Sequence, residues 1–357
     1  MKTYIKFLLN IYLNSFVRIF GIMTILIMII GIFEEIEFFK NLRVGTFYPI
    51  FLSILNTPSV VYEILPFIFL ISTQFFFMKL VENNELEIFK YNGLTNINIL
   101  KIITLFTACF SLILVLLFYN FSSKFKNYYL EIKNSYSNDN KYLAVITENG
   151  LWIKDEIAQT INIVNASKID SKFLLDVLIT QFDNKYNHLR TIQSPKVDIS
   201  KNIWVIKNAK ISENNVSKEF AEILLKSNFD LNKINSLFSN LSSLSFWELY
   251  KLRNDYKSLN YSTTEIDSHV NKIFSYPFYL TIITILSGII MFNIRRQKNS
   301  IFKIVFGIFI SVIIYYINNF FNVLGVNERI PLLLSIWLPL IMLSVINLAS
   351  IIRLNEK

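Results

Sequence analysis

The chain has 357 residues, 53% of them hydrophobic, and a mean hydropathy of +0.44. Its net charge of +9 is read with the positive-inside bias of membrane proteins and not with nucleic acid, because long apolar runs accompany it. A single cysteine, Cys109, excludes a disulfide within the chain and a cysteine metal site. Two histidines, His188 and His269, are too few for a histidine-rich centre, and no GxxxxGK[ST] loop is present to hold a nucleotide.

Residues 1–15 set Lys2, Lys6, Asn10 and Asn14 among bulky apolar groups. That pattern predicts an amphipathic helix on the membrane surface. The apolar run that follows ends at Glu34, Glu35 and Glu37, without a small-residue cleavage pattern, so it reads as a retained span. A helix needs about 20 apolar residues to cross the hydrocarbon core. Six stretches qualify: Phe16–Phe33, Val60–Leu80, Ile97–Phe121, Ile273–Phe292, Ile301–Phe321 and Ile330–Ile351. Arg18 sits near one end of the first, where it can snorkel. Glu63, early in the second, is expected to face the bundle interior, because an acid in lipid is costly. Cys109 is expected to be a small core residue. Asn318 and Asn319 are expected to hydrogen-bond between helices.

Six spans put both termini on one side. The loop from Asn293 to Lys303 carries Arg295, Arg296, Lys298 and Lys303 with no acid, and Lys2, Lys6, Arg353 and Lys357 share its side. This predicts cytoplasmic termini and an outer domain. The expected organisation is α+β, with an amphipathic helix and three spans in 1–121, a β domain of sandwich or jelly-roll type in 122–272, and three spans in 273–357. Strand-like runs at Gly150–Asp155, Thr160–Val164, Phe173–Phe182 and Ile203–Asn208 are separated by turn residues. Residues 232–275 look helical, and Ser245-Phe-Trp-Glu248 resembles a capping box. The domain reads either as a rigid docking module or as a β-walled groove for an apolar ligand.

Between the second and third spans, Glu85, Leu86, Phe89 and Lys90 recur at helical spacing. Gly93 is placed to end that helix in a left-handed conformation and Thr95 to cap the next. This short acidic helix, with Leu86 and Phe89 expected to be exposed, is either a solvated connector or a coupling helix for a soluble motor.

At this point the chain resembles the LptF/LptG permease family, which exports lipopolysaccharide in Gram-negative bacteria. The resemblance covers nearly the whole chain. Its marks are the order of three spans, domain and three spans; Glu85-Leu86 eight residues before Gly93, with Asn84 where the family often has Ser; Pro58 and Leu65-Pro66; Gly150-Leu-Trp-Ile-Lys-Asp155; His269, Lys272 and Pro277; and Trp337-Leu-Pro339. Lys40, the Gly150-Leu-Trp run and Asn318-Asn319 look more like the LptG side.

The resemblance implies a half-transporter that itself makes and breaks no covalent bond and carries no cofactor. A second LptF/LptG-type permease would face it, with an LptB-type ATPase dimer below. Lipopolysaccharide would enter between the bundles from the outer leaflet of the inner membrane. ATP-driven closure would push it into the β-jelly-roll domain, towards LptC- and LptA-like proteins of the periplasmic bridge. Glu85, Leu86, Phe89 and Gly93 would then form the contact with the motor. Lys40 and Arg43, just beyond the first span, would meet headgroup phosphates or serve as ordinary interfacial anchors. Glu34, Glu35 and Glu37 would repel phosphate unless turned away or bridged by divalent cations. A non-transport scaffold for envelope assembly is the alternative, and it would need no coupling helix. A lipid enzyme is disfavoured by the lack of a recognisable catalytic constellation.

Overall fold

The structure, a computed structural model, describes residues 3–40, 45, 47–136, 151–157, 160–170, 172–213, 216–231, 234, 240–258, 261–292 and 300–355. It divides into two compact units, residues 1–126 with 264–357, and residues 127–263.

The first unit is helical. It comprises α1 (Thr3–Phe39), α2 (Phe47–Glu63), α3 (Leu65–Glu82), α4 (Glu85–Tyr91), most of α5 (Asn96–Ser135), α7 (Thr264–Met291), α8 (Ser300–Val326) and α9 (Leu332–Asn355). Among the described residues, six helices are long and apolar enough to cross a membrane: α1, α3, α5, α7, α8 and α9. The chain is therefore a multi-pass membrane protein.

Three features differ from the sequence expectation. Residues 1–15 are not a separate surface helix, since α1 runs unbroken from Thr3. No proline interrupts it, and Leu8, Ile11 and Tyr12 are buried against Phe76, Phe77, Leu80 and Ile103. The second span is preceded by a further helix, α2, and the two meet at Ile64. Pro66 lies in the first turn of α3, where a missing N–H costs nothing. Finally, α5 and α7 extend beyond their apolar windows, to Ser135 and back to Thr264, because polar helix formers continue the turn where hydrocarbon ends.

Close crossings fix the bundle. Ser53 Oγ on α2 donates to Met28 O on α1 at 2.8 Å, and Gly31 leaves the room for it. Eleven of the 18 residues of α3 are buried; it packs on α1, α7 and α8. Ser287 Oγ of α7 donates to Leu70 O of α3 at 2.8 Å, beside Gly288. Hydroxyls satisfied this way, on carbonyls of neighbouring helices, suit a core without water. Ser268 Oγ donates to Asn322 Oδ1 at 2.7 Å between α7 and α8. Cys109 lies on the exposed side of α5, not in the core. An all-round apolar helix carries no signal that would orient it.

The second unit holds a seven-stranded antiparallel sheet. Its strands are β1 (Leu151–Ile157), β2 (Thr160–Ala166), β3 (Lys168–Asp170), β4 (Phe173–Asp183), β5 (His188–Asp198), β6 (Ile203–Glu213) and β7 (Val216–Lys226). The strands pair in chain order, with β3 adding to β4. The sheet rolls on itself. Asp155 on β1 accepts hydrogen bonds from Ser227 Oγ (2.8 Å), Asn228 Nδ2 (2.9 Å) and Asn228 N (3.2 Å), just past β7. Pro195 on β5 cannot donate to a ladder. Opposite it, Asp176 on β4 and Asn208 on β6 both take positive φ (48° and 52°), which marks a line of irregularity across three strands. The alternating inward residues Leu151, Ile153, Val164, Ile179, Ile192 and Ile206 form one core with Trp204 and Phe229. Trp204 Nε1 donates to Phe229 O at 2.8 Å. Helix α6 (Phe246–Ser258) closes the unit.

Candidate functional site

The α3–α4–α5 corner is built from local chemistry. Asn83 and Asn84 link α3 to α4, and Asn84 takes φ +59°, which asparagine tolerates better than most residues. Asn83 Nδ2 donates to Glu85 Oε1 at 3.2 Å, and the second oxygen of Glu85 has no partner among the described residues. Gly93 has φ +84°. Its N–H reaches Lys90 O at 3.0 Å, while Leu94 N reaches Phe89 O at 2.9 Å. These two bonds together form a Schellman termination, the left-handed stop read from the sequence. Thr95 Oγ1 accepts from Asn98 N at 3.2 Å and so caps α5.

The faces of α4 do not lie as the sequence reading placed them. Leu86 and Phe89 are half-buried against the cluster of Leu8, Ile11, Tyr12, Phe76 and Leu80. The Phe89 ring lies 6.1 Å from that of Phe7 on α1. They are not the exposed pair that was expected. Their packing ties α4 to the bundle and leaves Ile88 (57% exposed) and Tyr91 (90% exposed), one turn apart, as its uncovered apolar residues, with Glu87 beside them. The sequence reading missed Ile88 and Tyr91. The available signal was Phe7, whose ring selects the inward side.

Beyond α1, Lys40 is exposed and pairs with Glu37 at 3.3 Å across one turn. Arg43 lies outside the described residues, as do Gly150 and the basic loop segment 293–299. Glu35 is turned inward at 2% exposure, while Glu34 and Glu37 are exposed. Glu63 does not face the bundle interior. It is mostly exposed and pairs with Lys126 of α5 at 3.7 Å; α2 ends there, and α5 supplies the cation. His269 of α7 shares a 3.1 Å hydrogen bond with Tyr119 Oη of α5, so the histidine of the H..K....P pattern joins two helices.

In the β domain, the rolled sheet is filled at its centre by its own side chains. A cavity of about 420 Å³ remains, with Asn162, Gln181, Arg190 and Glu213 in its wall. Gln181 Nε2 donates to Asn162 Oδ1 at 2.6 Å, and Arg190 Nε donates to Gln181 Oε1. The relay holds the guanidinium in place, and the wall combines these polar and charged groups with the apolar Ile157, Leu189 and Leu225.

Six helices able to cross a membrane, an antiparallel sheet inserted between the third and the fourth, and a short capped helix between the second and the third define a multi-pass membrane protein with an inserted β domain. A family model described as lipopolysaccharide export system permease LptF/LptG matches residues 6–353. The chain belongs to that family. No curated protein matches it.

Proposed function

We propose that this chain is one permease subunit, on the LptG side, of an ABC-type complex in the bacterial inner membrane. The complex extracts lipopolysaccharide and passes it through the periplasmic β domain to LptC- and LptA-like bridge proteins. The observation that carries this reading is the family match over nearly the whole chain. The α4 corner supports it: a capped helix with an acidic first turn, fixed to the core by Leu86 and Phe89, offers Ile88 and Tyr91 to an LptB-type ATPase. Glu85 stands at its start; its unpartnered oxygen is buried in the lone subunit, and the side chain would turn outward to meet a cation of the motor. Motor movement would shift the bundle between open and closed populations. A second LptF/LptG-type permease completes the cavity. Lys40 and Arg43 are the proposed phosphate contacts, with Lys40 leaving Glu37 when a headgroup arrives.

The test is purification of the tagged chain from membranes in mild detergent, with a photoreactive residue at position 190. The expected result is an ATPase and a second permease in the complex, and a lipopolysaccharide adduct that depends on ATP. Recovery without any ATPase and with no adduct would favour a non-transport scaffold.

A further inference from the structure

Helices α2 and α3 meet at a joint that their own backbone does not close. Pro66 has no N–H. Helix α3 does not need one in its first turn, but the carbonyl four residues back, Tyr62 O, thereby loses its helical donor. Phe67 N, the donor due to Glu63 O, reaches Ile64 O at 3.0 Å instead. The break thus leaves over two successive carbonyls at the end of α2. One hydroxyl from another helix reaches both. Tyr276 Oη of α7 donates to Tyr62 O at 2.5 Å and stands 3.4 Å from Glu63 O. Its ring lies against that of Tyr62, with centroids 4.9 Å apart.

A carbonyl taken out of water and left without a donor is costly. A helix break inside a membrane bundle is therefore held in the geometry that gives its carbonyls a partner. Here that partner is a single side chain, and it belongs to neither of the two helices that meet. Away from the joint, α2 is held chiefly by α1, to which Ser53 Oγ ties it at Met28 O. The ion pair of Glu63 with Lys126 of α5 spans 3.7 Å, and Glu63 is mostly exposed, so it adds little. Helix α1 passes the layer of the joint at Gly21, where even an added Cβ would meet nothing, so α1 does not clamp the joint at that point.

We infer that Ile64 is a hinge between α2 and α3 and that the Tyr276 hydroxyl is its latch. While the hydroxyl holds Tyr62 O, the two helices keep one angle; when α7 withdraws it, α2 swings on α3 and takes the adjoining part of α1 with it. The bonds concerned all lie within the helical unit, and neither the permease reading nor its substrate is needed for the inference.

Distances between pairs of nitroxide labels, measured by double electron–electron resonance, test it. Ile50→Cys with Glu265→Cys reads α2 against α7, and Phe121→Cys with Glu265→Cys reads α5 against α7 as a reference; all three positions are exposed. Each pair is made in the full chain with Cys109→Ala and reconstituted in phospholipid vesicles. Residue 50 lies about 20 Å along α2 from the joint, so a swing of about 20° moves its label by about 7 Å. The 50–265 distribution should be narrow while Tyr276 is present. Tyr276→Phe keeps the ring and removes the hydroxyl; it should shift or widen that distribution by about the same distance and leave 121–265 as it was. Adding Pro66→Ala gives Tyr62 O a backbone donor again and should return a narrow distribution. A 50–265 distribution that Tyr276→Phe leaves unchanged would overturn the inference. Widening of both pairs would show a general loosening of the bundle and overturn it as well. A double variant no narrower than Tyr276→Phe alone would show that the tyrosine does not act through the freed carbonyl, and the latch would fall.

Discussion

Replacing Tyr91 by Ala separates the two faces of α4. Tyr91 is 90% exposed, so its ring contributes little to the fold, and the stability change should stay within about 0.5 kcal/mol. If a partner covers the ring, up to about 150 Å² leaves water, a gross gain of roughly 4 kcal/mol. Ordering costs reduce it to about 2 kcal/mol, the level of an interface hot spot. The ATPase should therefore bind roughly 30-fold more weakly. Phe89→Ala behaves differently. It removes a half-buried ring that packs on Phe7, at a cost of about 2–3 kcal/mol in folding. Both variants are measured for ATPase affinity and for thermal unfolding of the isolated subunit in detergent. The expected pattern is weak binding with unchanged unfolding for Tyr91→Ala, and lowered unfolding temperature for Phe89→Ala. A Tyr91→Ala subunit that binds normally, beside a stably folded Phe89→Ala subunit that does not bind, would refute the assignment of faces.

Asp155→Ala should open the seam of the rolled sheet, which has three hydrogen bonds on one buried carboxylate. A loss of about 2–4 kcal/mol predicts amide exchange in β1 and residues 227–231 faster by roughly 30- to 700-fold, with the helical unit unchanged. Gly93→Ala should cost about 1–2 kcal/mol, since φ +84° is unfavourable to a Cβ although nothing blocks it sterically; faster exchange confined to α4 and the start of α5 would show it. At the β4–β5 turn, the Asn187 side chain, followed by backbone N–H groups, holds the Asp183 carboxyl below its ordinary 3.8. Because the folded value is the lower one, this contribution is complete above 3.8 and fades as pH falls through the folded value. Exchange in residues 183–188 should rise over that acid range, and Asp183→Asn should abolish the dependence.

What the sequence disclosed follows from how local each signal was. Six spans are visible because twenty apolar residues in a row have no other common use. The ends of α4 are visible because Gly93 and Thr95 act within one turn of themselves. Its faces are not, because a seven-residue helix carries apolar groups all round and the choice is made by Phe7, far back in the chain. The same holds for Cys109 and Glu63, on helices whose composition does not name an inner side. Strands β1, β2, β4 and β6 alternate clearly. β5 contains Pro195 and few apolar residues, and β7 reads Val-Ser-Lys-Glu-Phe-Ala-Glu, the composition of an exposed edge or a helix, so neither was apparent. Asp155 could be read only as one letter of a family motif, since its partners lie more than seventy residues downstream.

Helix α3 leads into α4 through Asn83 and Asn84, so beside the Phe7–Phe89 packing on α1 it is one route by which a push on that corner would enter the bundle. It packs on α8 through Phe67 against Tyr315 and Leu70 beside Ile314, and among the described residues it adds a polar contact: Gln74, fully buried, donates through Nε2 to Lys303 O at 3.0 Å. Gly307, one turn further along α8, leaves the space that the Gln74 amide occupies. An interhelical bond of this kind in a membrane bundle contributes about 0.6–1.7 kcal/mol. Gln74→Leu removes the donor. Gly307→Ala brings a methyl group into the amide and displaces it from the carbonyl. Both changes break one interaction, so their effects should not add. In a double-mutant cycle on unfolding in detergent, the double variant should be little worse than the more damaging single one, with a coupling of about 1 kcal/mol. If the two losses add to within about 0.3–0.5 kcal/mol, as independent sites do, Gln74 and Gly307 act separately and the α3–α8 link is not the route by which α4 reaches α8.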